Sequence, residues 1–174
     1  MKRWKGILAG MLGAGGMLAS CSNPIVQGPP EIRPGRSECS ACGMLISEER
    51  CSAAVLIEDE GERLYRLYDD IGCMLDDEHE SGRGARVVER FVHDYNRGDW
   101  IAAERAFFLE GGTPPVQTPM GSGIVAFVDA EAAKACNRDR NGGVCDFAGV
   151  ANARRNWMQS RHGVAATETD GGAK

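Results

Sequence analysis

Cys39 and Cys42 stand with two residues between them in the stretch SECSACGMLI, and Gly43 and Met44 follow at once. Thiolates and thioethers are soft ligands, suited to Cu(I), which accepts two or three of them. Gly43 permits a tight turn that points the flanking side chains toward one centre. Met120 lies between Pro119 and Gly121 in TPMGSG, a loop that can present a thioether outward. Cys73 and Met74 add sulfur at the start of a helical stretch, where the helix dipole favours a thiolate.

The pair Cys39/Cys42 fits three chemistries. A structural zinc site needs four ligands, and no second Cys-x-x-Cys is present. Cys51 or Cys73 would have to complete it. A thiol-disulfide oxidoreductase places its pair at a strand-to-helix junction, whereas here a polar segment precedes the pair and a strand follows. A soft-metal site needs only the sulfur already named. Each residue also has a plainer use. Met74 lies on the apolar face of its helix and reads as core, and Cys51 as a small buried hydrophobe. His79, His93 and His162 read as surface residues, and DDEHE (Asp76–Glu80) as a solvated helix face. There is no Ser/His/Asp set, no phosphate-binding glycine loop and no convincing pair of catalytic carboxylates, so no turnover chemistry is expected.

Compartment decides how the other cysteines are read. Lys2, Arg3 and Lys5 precede a small-residue apolar run of 14 residues, Gly6–Ala19. It is too short to span a bilayer and fits the core of a secretory signal. With no twin arginine, the general secretion route is expected. The run ends in LASC, which resembles the lipobox of bacterial lipoproteins, so residues 1–20 read as a signal peptide and Cys21 as the lipidated residue. By the same resemblance Ser22 favours the outer membrane. Losing the segment removes three positive charges from a chain of net charge −5 and leaves −8. So acidic a chain is no candidate for nucleic acid. Six cysteines follow Cys21. Cys136 and Cys145 flank the turn NRDRNGG and are the best disulfide candidates in an oxidising compartment.

These residues need elements to hold them. Residues 21–38, rich in proline and glycine, read as an extended tether. Strands are expected over Cys51–Asp59 and Arg63–Asp69, then a helix capped by Asp69 or Asp70. Gly72 weakens that helix, and a third strand covers Ala85–Tyr95. The second half repeats the order: strands Glu104–Gly112 and Gly123–Asp129, a helix capped by Asp129, a short strand over Gly143–Gly149, and a closing helix Val150–His162. Residues 163–174 read as a disordered tail. The class is α+β, with two pseudo-repeated ββαβ units, 39–99 and 100–162, packed together.

CSACGMLI, YDDIGCM (Tyr68–Met74), FVHDY (Phe91–Tyr95) with Trp100, and TPMGSGIVAF (Thr118–Phe127) occur in this order. Together with the lipobox they resemble the NosL family of nitrous-oxide reductase accessory lipoproteins. The resemblance implies a periplasmic, lipid-anchored Cu(I) chaperone. It would deliver copper for the copper centres of nitrous-oxide reductase, or to its membrane assembly machinery. It implies a fold of two ββαβ units related to the organomercurial lyase core. It points to Cys42, Met44 and Met120 as copper ligands, with Cys39 a further candidate. Cys51, Cys136 and Cys145 are not part of the family pattern.

Overall fold

The computed structural model describes residues 26–81 and 84–168. The signal segment, Cys21 and residues 169–174 lie outside them. Three strands begin the fold: β1 (Ala53–Asp59), β2 (Glu62–Tyr68) and, after helix α1 (Ile71–Ser81), β3 (Arg86–His93). With β4 (Trp100–Ala102) they form one antiparallel sheet in the order β2-β1-β3-β4. The second half supplies β5 (Phe107–Glu110), β6 (Val125–Phe127), helix α2 (Ala130–Asn137), β7 (Gly143–Cys145) and helix α3 (Phe147–Glu168). Its antiparallel sheet runs β6-β5-β7. The first strand is therefore central in both sheets, and each half follows the order ββαβ.

β1 is apolar without alternation because both its faces are covered. Ala53, Val55 and Ile57 face a core shared with Met74 of α1, Phe108 of β5 and Val150 of α3. Ala54 and Leu56 pack on the other face with Phe91, Tyr65, Leu67 and Trp100. β5 divides in the same way: Phe108 enters the shared core, while Leu109 packs under α2 with Val125, Phe127 and Ala133. The two sheets thus share one core, to which α1 and α3 each contribute a face. Arg154 of α3 locks it with a two-pronged ion pair to Asp76 of α1, at 2.7 Å on both prongs. Asp76, Asp77 and Glu78 are therefore not a solvated face. Asp77 accepts from Tyr68 Oη at 2.6 Å, and Glu78 pairs with Arg90 at 2.8 Å. Only the end of the stretch, His79 and Glu80, is exposed.

Asp94 staples the two sheets. Its carboxylate is buried and accepts from Asn96 N–H at 3.0 Å, Arg97 N–H at 2.8 Å and Val128 N–H at 2.7 Å. Next to it, Tyr95 N–H donates to Ala126 C=O at 2.8 Å.

Several expectations change. β4 pairs with β3, so the first sheet runs past the boundary drawn between 99 and 100. A short 3₁₀ turn, Ala103–Arg105, replaces the start of the fifth strand. Residues 26–38 are tied down rather than free: Ile32 is buried, Tyr65 Oη donates to Gly28 C=O, and Gly35 N–H donates to Ile46 C=O at 2.8 Å. α3 continues to Glu168, into the segment expected to be disordered.

His93 is buried, not on the surface. Its ring stacks on Trp100 at 3.6 Å, and Nδ1 lies 3.1 Å from Ser52 Oγ. Burial, the largest influence, pushes its pKa down. Cys136 and Cys145 are both free thiols. Cys145 packs into the shared core and Cys136 into the cluster under α2, so the small sheet separates them.

Candidate metal centre

The site is built on the N-terminal end of α1. Ser37–Ser47 folds back on itself as a narrow hairpin. Cys39 N–H donates to Met44 C=O and Gly43 N–H to Cys39 C=O, each at 2.8 Å. Gly43 takes φ +72°, the left-handed turn that glycine permits without strain. The hairpin is stitched to β2 by Ser40 N–H to Leu67 C=O at 2.7 Å and Leu67 N–H to Ser40 Oγ at 3.1 Å. Its far end is held by Asp69, whose Oδ1 accepts from Ser47 N–H at 2.8 Å.

This docking carries the two hairpin cysteines to the helix. The Sγ atoms of Cys39, Cys42 and Cys73 all lie within 4.8 Å of one another. Cys39 is 2 % exposed, Cys73 half-buried and Cys42 open to solvent. The three thiols are electrostatically unlike. Cys39 is pulled down to about 5, chiefly by the hydrogen bond from Cys73 and against its own burial, with help from the backbone at Asp69, Cys42 and Ala41. Cys73 is pushed up by that same hydrogen bond and by burial. The backbone at Met44 draws Cys42 down, but burial and Cys39 outweigh it, and the net shift is upward. The cluster therefore holds one thiolate flanked by two thiols.

Met44 sits on the hairpin at 55 % exposure and Met120 on its loop at 40 %. The Met120 loop docks on the same helix end. Asp70 Oδ2 accepts from Thr118 Oγ1 at 2.6 Å, Met120 N–H at 3.2 Å and Ser122 N–H at 3.4 Å. A Cβ at Gly72 would lie 2.5 Å from Ser122 Cβ. Gly72 thus allows the loop to lie directly on the first turn, and α1 still runs 11 residues. Among the residues marked in the sequence, the structure brings Cys39 and Cys42 together and adds Cys73. It sets Met44 and Met120 at the surface on the two loops that Asp69 and Asp70 hold. Met74 is core, and Cys51 is a buried hydrophobe whose pKa burial pushes up to about 12.

Cys73 was legible only as sulfur near a helix start, and its partners could not be read from spacing. Three soft donors at one point, one of them facing solvent, can hold a soft cation in a site that stays open to exchange. The donor set lacks the fourth ligand that a closed structural zinc site uses; among the described residues no further Cys, His, Asp or Glu joins the three.

A sequence model of the NosL family matches residues 31–154, and the chain belongs to the NosL family. The crystal structure of the copper chaperone NosL from Shewanella denitrificans shares the fold. The TM-score is 0.53 at 20 % identity, over 68 % of this chain and 95 % of that one. No curated protein matches the sequence.

Proposed function

We propose that the chain is a copper-binding chaperone that carries Cu(I) as cargo in the Cys39/Cys42/Cys73 cluster, with Met44 and Met120 as outer thioether ligands. The observation that carries this reading is the meeting of the three sulfurs within 4.8 Å at a solvent-open position. Family membership and the copper chaperone of the same fold support it. Exchange is the mechanism such a site allows. Cys42 is exposed, so an incoming ligand can add to Cu(I) beside it before an old bond breaks. The low coordination number of Cu(I) permits that intermediate, and no turnover chemistry is needed.

The recipient is the copper-centre assembly of nitrous-oxide reductase, or its membrane machinery. Cys21 anchors the chain by lipid in the periplasm, at the outer membrane. The anchor would raise local concentration near a membrane-bound partner. No helix among the described residues is long and apolar enough to cross a membrane. The matching ββαβ order and strand order of the halves support a pseudo-repeat akin to the organomercurial lyase core.

Metal analysis after anaerobic purification tests the reading. One copper per chain is expected, retained against a Cu(I) chelator. Cys42→Ser and Met44→Ala should each weaken binding at least about tenfold, roughly 1.4 kcal/mol. Zinc in place of copper would make the cluster structural. No metal, together with a Cys39–Cys42 disulfide and reductase activity indifferent to Met44→Ala and Met120→Ala, would make the protein an oxidoreductase.

A further inference from the structure

Asp70 is buried completely, yet it reaches four donors from two distant parts of the chain. Oδ1 accepts from Gly72 N–H at 2.6 Å and so caps α1. Oδ2 accepts from the Thr118 hydroxyl and from the N–H groups of Met120 and Ser122, about fifty positions downstream. A cap alone would need only the first of these. The other three fasten the Met120 loop to the helix turn that carries Cys73. Thr118 Oγ1 in turn accepts from Gly123 N–H at 3.2 Å, so the hydroxyl closes the loop on itself beneath the carboxylate. Gly72 completes the seat by leaving room for Ser122.

We infer that Asp70 is a positioning residue for metal binding: a latch that holds the Met120 loop on the helix turn that carries Cys73, from which the Met120 thioether can join the metal. It binds no metal itself, since both of its oxygens are committed to protein donors. The inference rests on Met120 being a ligand. Its chemistry makes the substitutions specific. In Asp70→Asn one carboxylate oxygen becomes an NH₂, which faces N–H or O–H donors in either orientation and cannot accept from them. Gly72→Ala pushes chiefly on Ser122 of the loop, 2.5 Å from the added Cβ, with Asp70 Oδ1 next at 3.0 Å, and it keeps the carboxylate as an acceptor. Gly72 does not need a positive φ, and alanine favours helix, so the main strain of this change falls on Ser122 of the loop.

The experiment is a double-mutant cycle on Cu(I) affinity, read by chelator competition with the full chain, pairing Asp70→Asn and, separately, Gly72→Ala with Met120→Ala. Met120→Ala alone should weaken binding about tenfold, and each latch variant alone should do the same. In the Met120→Ala background either latch variant should cost no more than about twofold further, the limit of ordinary additivity. Asp94→Asn is the control: it disturbs another buried carboxylate staple away from the loop, and its effect should be equal in both backgrounds. A latch effect that persists undiminished without Met120 overturns the inference while leaving Met120 a ligand. An unchanged affinity in Met120→Ala alone removes Met120 from the ligand set and the latch with it. If Asp70→Asn does not fold, the Gly72→Ala cycle decides, with Thr118→Val as its companion.

Discussion

The unlike thiols of the cluster determine how many protons leave when copper arrives. Cys39 titrates near 5, while Cys42 and Cys73 are held above their ordinary value. At pH 7 Cys39 is therefore largely ionised, whereas Cys42 and Cys73 stay largely protonated. Coordination by all three sulfurs therefore releases about two protons, and coordination by Cys39 with one partner releases about one. Cys73→Ala removes the largest influence on Cys39. Burial is then opposed only by the backbone donors at Asp69, Cys42 and Ala41, and the Cys39 midpoint rises. Two measurements follow. Thiolate absorbance of the metal-free protein should show a transition near pH 5 that the variant lacks. Calorimetric Cu(I) titrations in buffers of different ionisation heat should report about two protons at pH 7. The sign also fixes stability. The depressed pKa of Cys39 stabilises the metal-free fold fully above the unfolded value near 9, and that contribution fades as pH falls toward 5. The raised pKa of Cys73 acts oppositely and weakens the fold as pH climbs past 9. Release of three protons at pH 7, or no thiolate transition near pH 5, would refute the thiolate-and-two-thiols arrangement.

Other outcomes follow from the scaffold. Asp94→Ala leaves three backbone N–H groups without their acceptor and should cost about 3 kcal/mol in urea unfolding; a loss under about 1 kcal/mol would show that the staple is dispensable. His93 is buried with its pKa lowered, so its contribution is present above the unfolded value near 6.5 and lost as pH falls below it, at up to about 1.4 kcal/mol per pH unit. His93→Phe should flatten that part of the pH–stability curve, and an unchanged slope would assign it elsewhere. Cys136 and Cys145 should both alkylate after denaturation of mildly oxidised protein, and peptide mapping that finds them joined would contradict their separation by the small sheet.

The strands and helices were largely readable because burial leaves a one-dimensional trace. Continuous apolar residues in β1, Asp129 before α2 and the turn at Gly61 each act through near neighbours. Paired acids leave no such trace. Asp76, Asp77 and Glu78 look like a solvated run until Arg154, Tyr68 and Arg90 come in from other elements. His93 misleads for the same reason, since Trp100 reaches it only when β4 pairs with β3, and Ser52 only when β1 does. The Cys136–Cys145 pair is the converse case: a short turn places two thiols near in sequence, but Cys136 on α2 packs on one face of the small sheet and Cys145 of β7 on the other.

The motif YDDIGCM compresses the site into seven residues. Tyr68 anchors α1 from within through Asp77. Asp69 turns outward to the cysteine hairpin and Asp70 to the methionine loop. Gly72 then keeps a side chain out of the methionine loop's way, and Cys73 adds the third sulfur. A reading confined to helix caps explains one aspartate and treats its neighbour as spare. Two adjacent carboxylates can serve two loops because successive residues at a strand end point in opposite directions. The β2–α1 junction is thus the point where one short stretch can hold both halves of the molecule. The thiol cluster draws two sulfurs from the hairpin and one from α1, and the same junction seats the Met120 loop on that helix end, so a single stretch sets the register of all three.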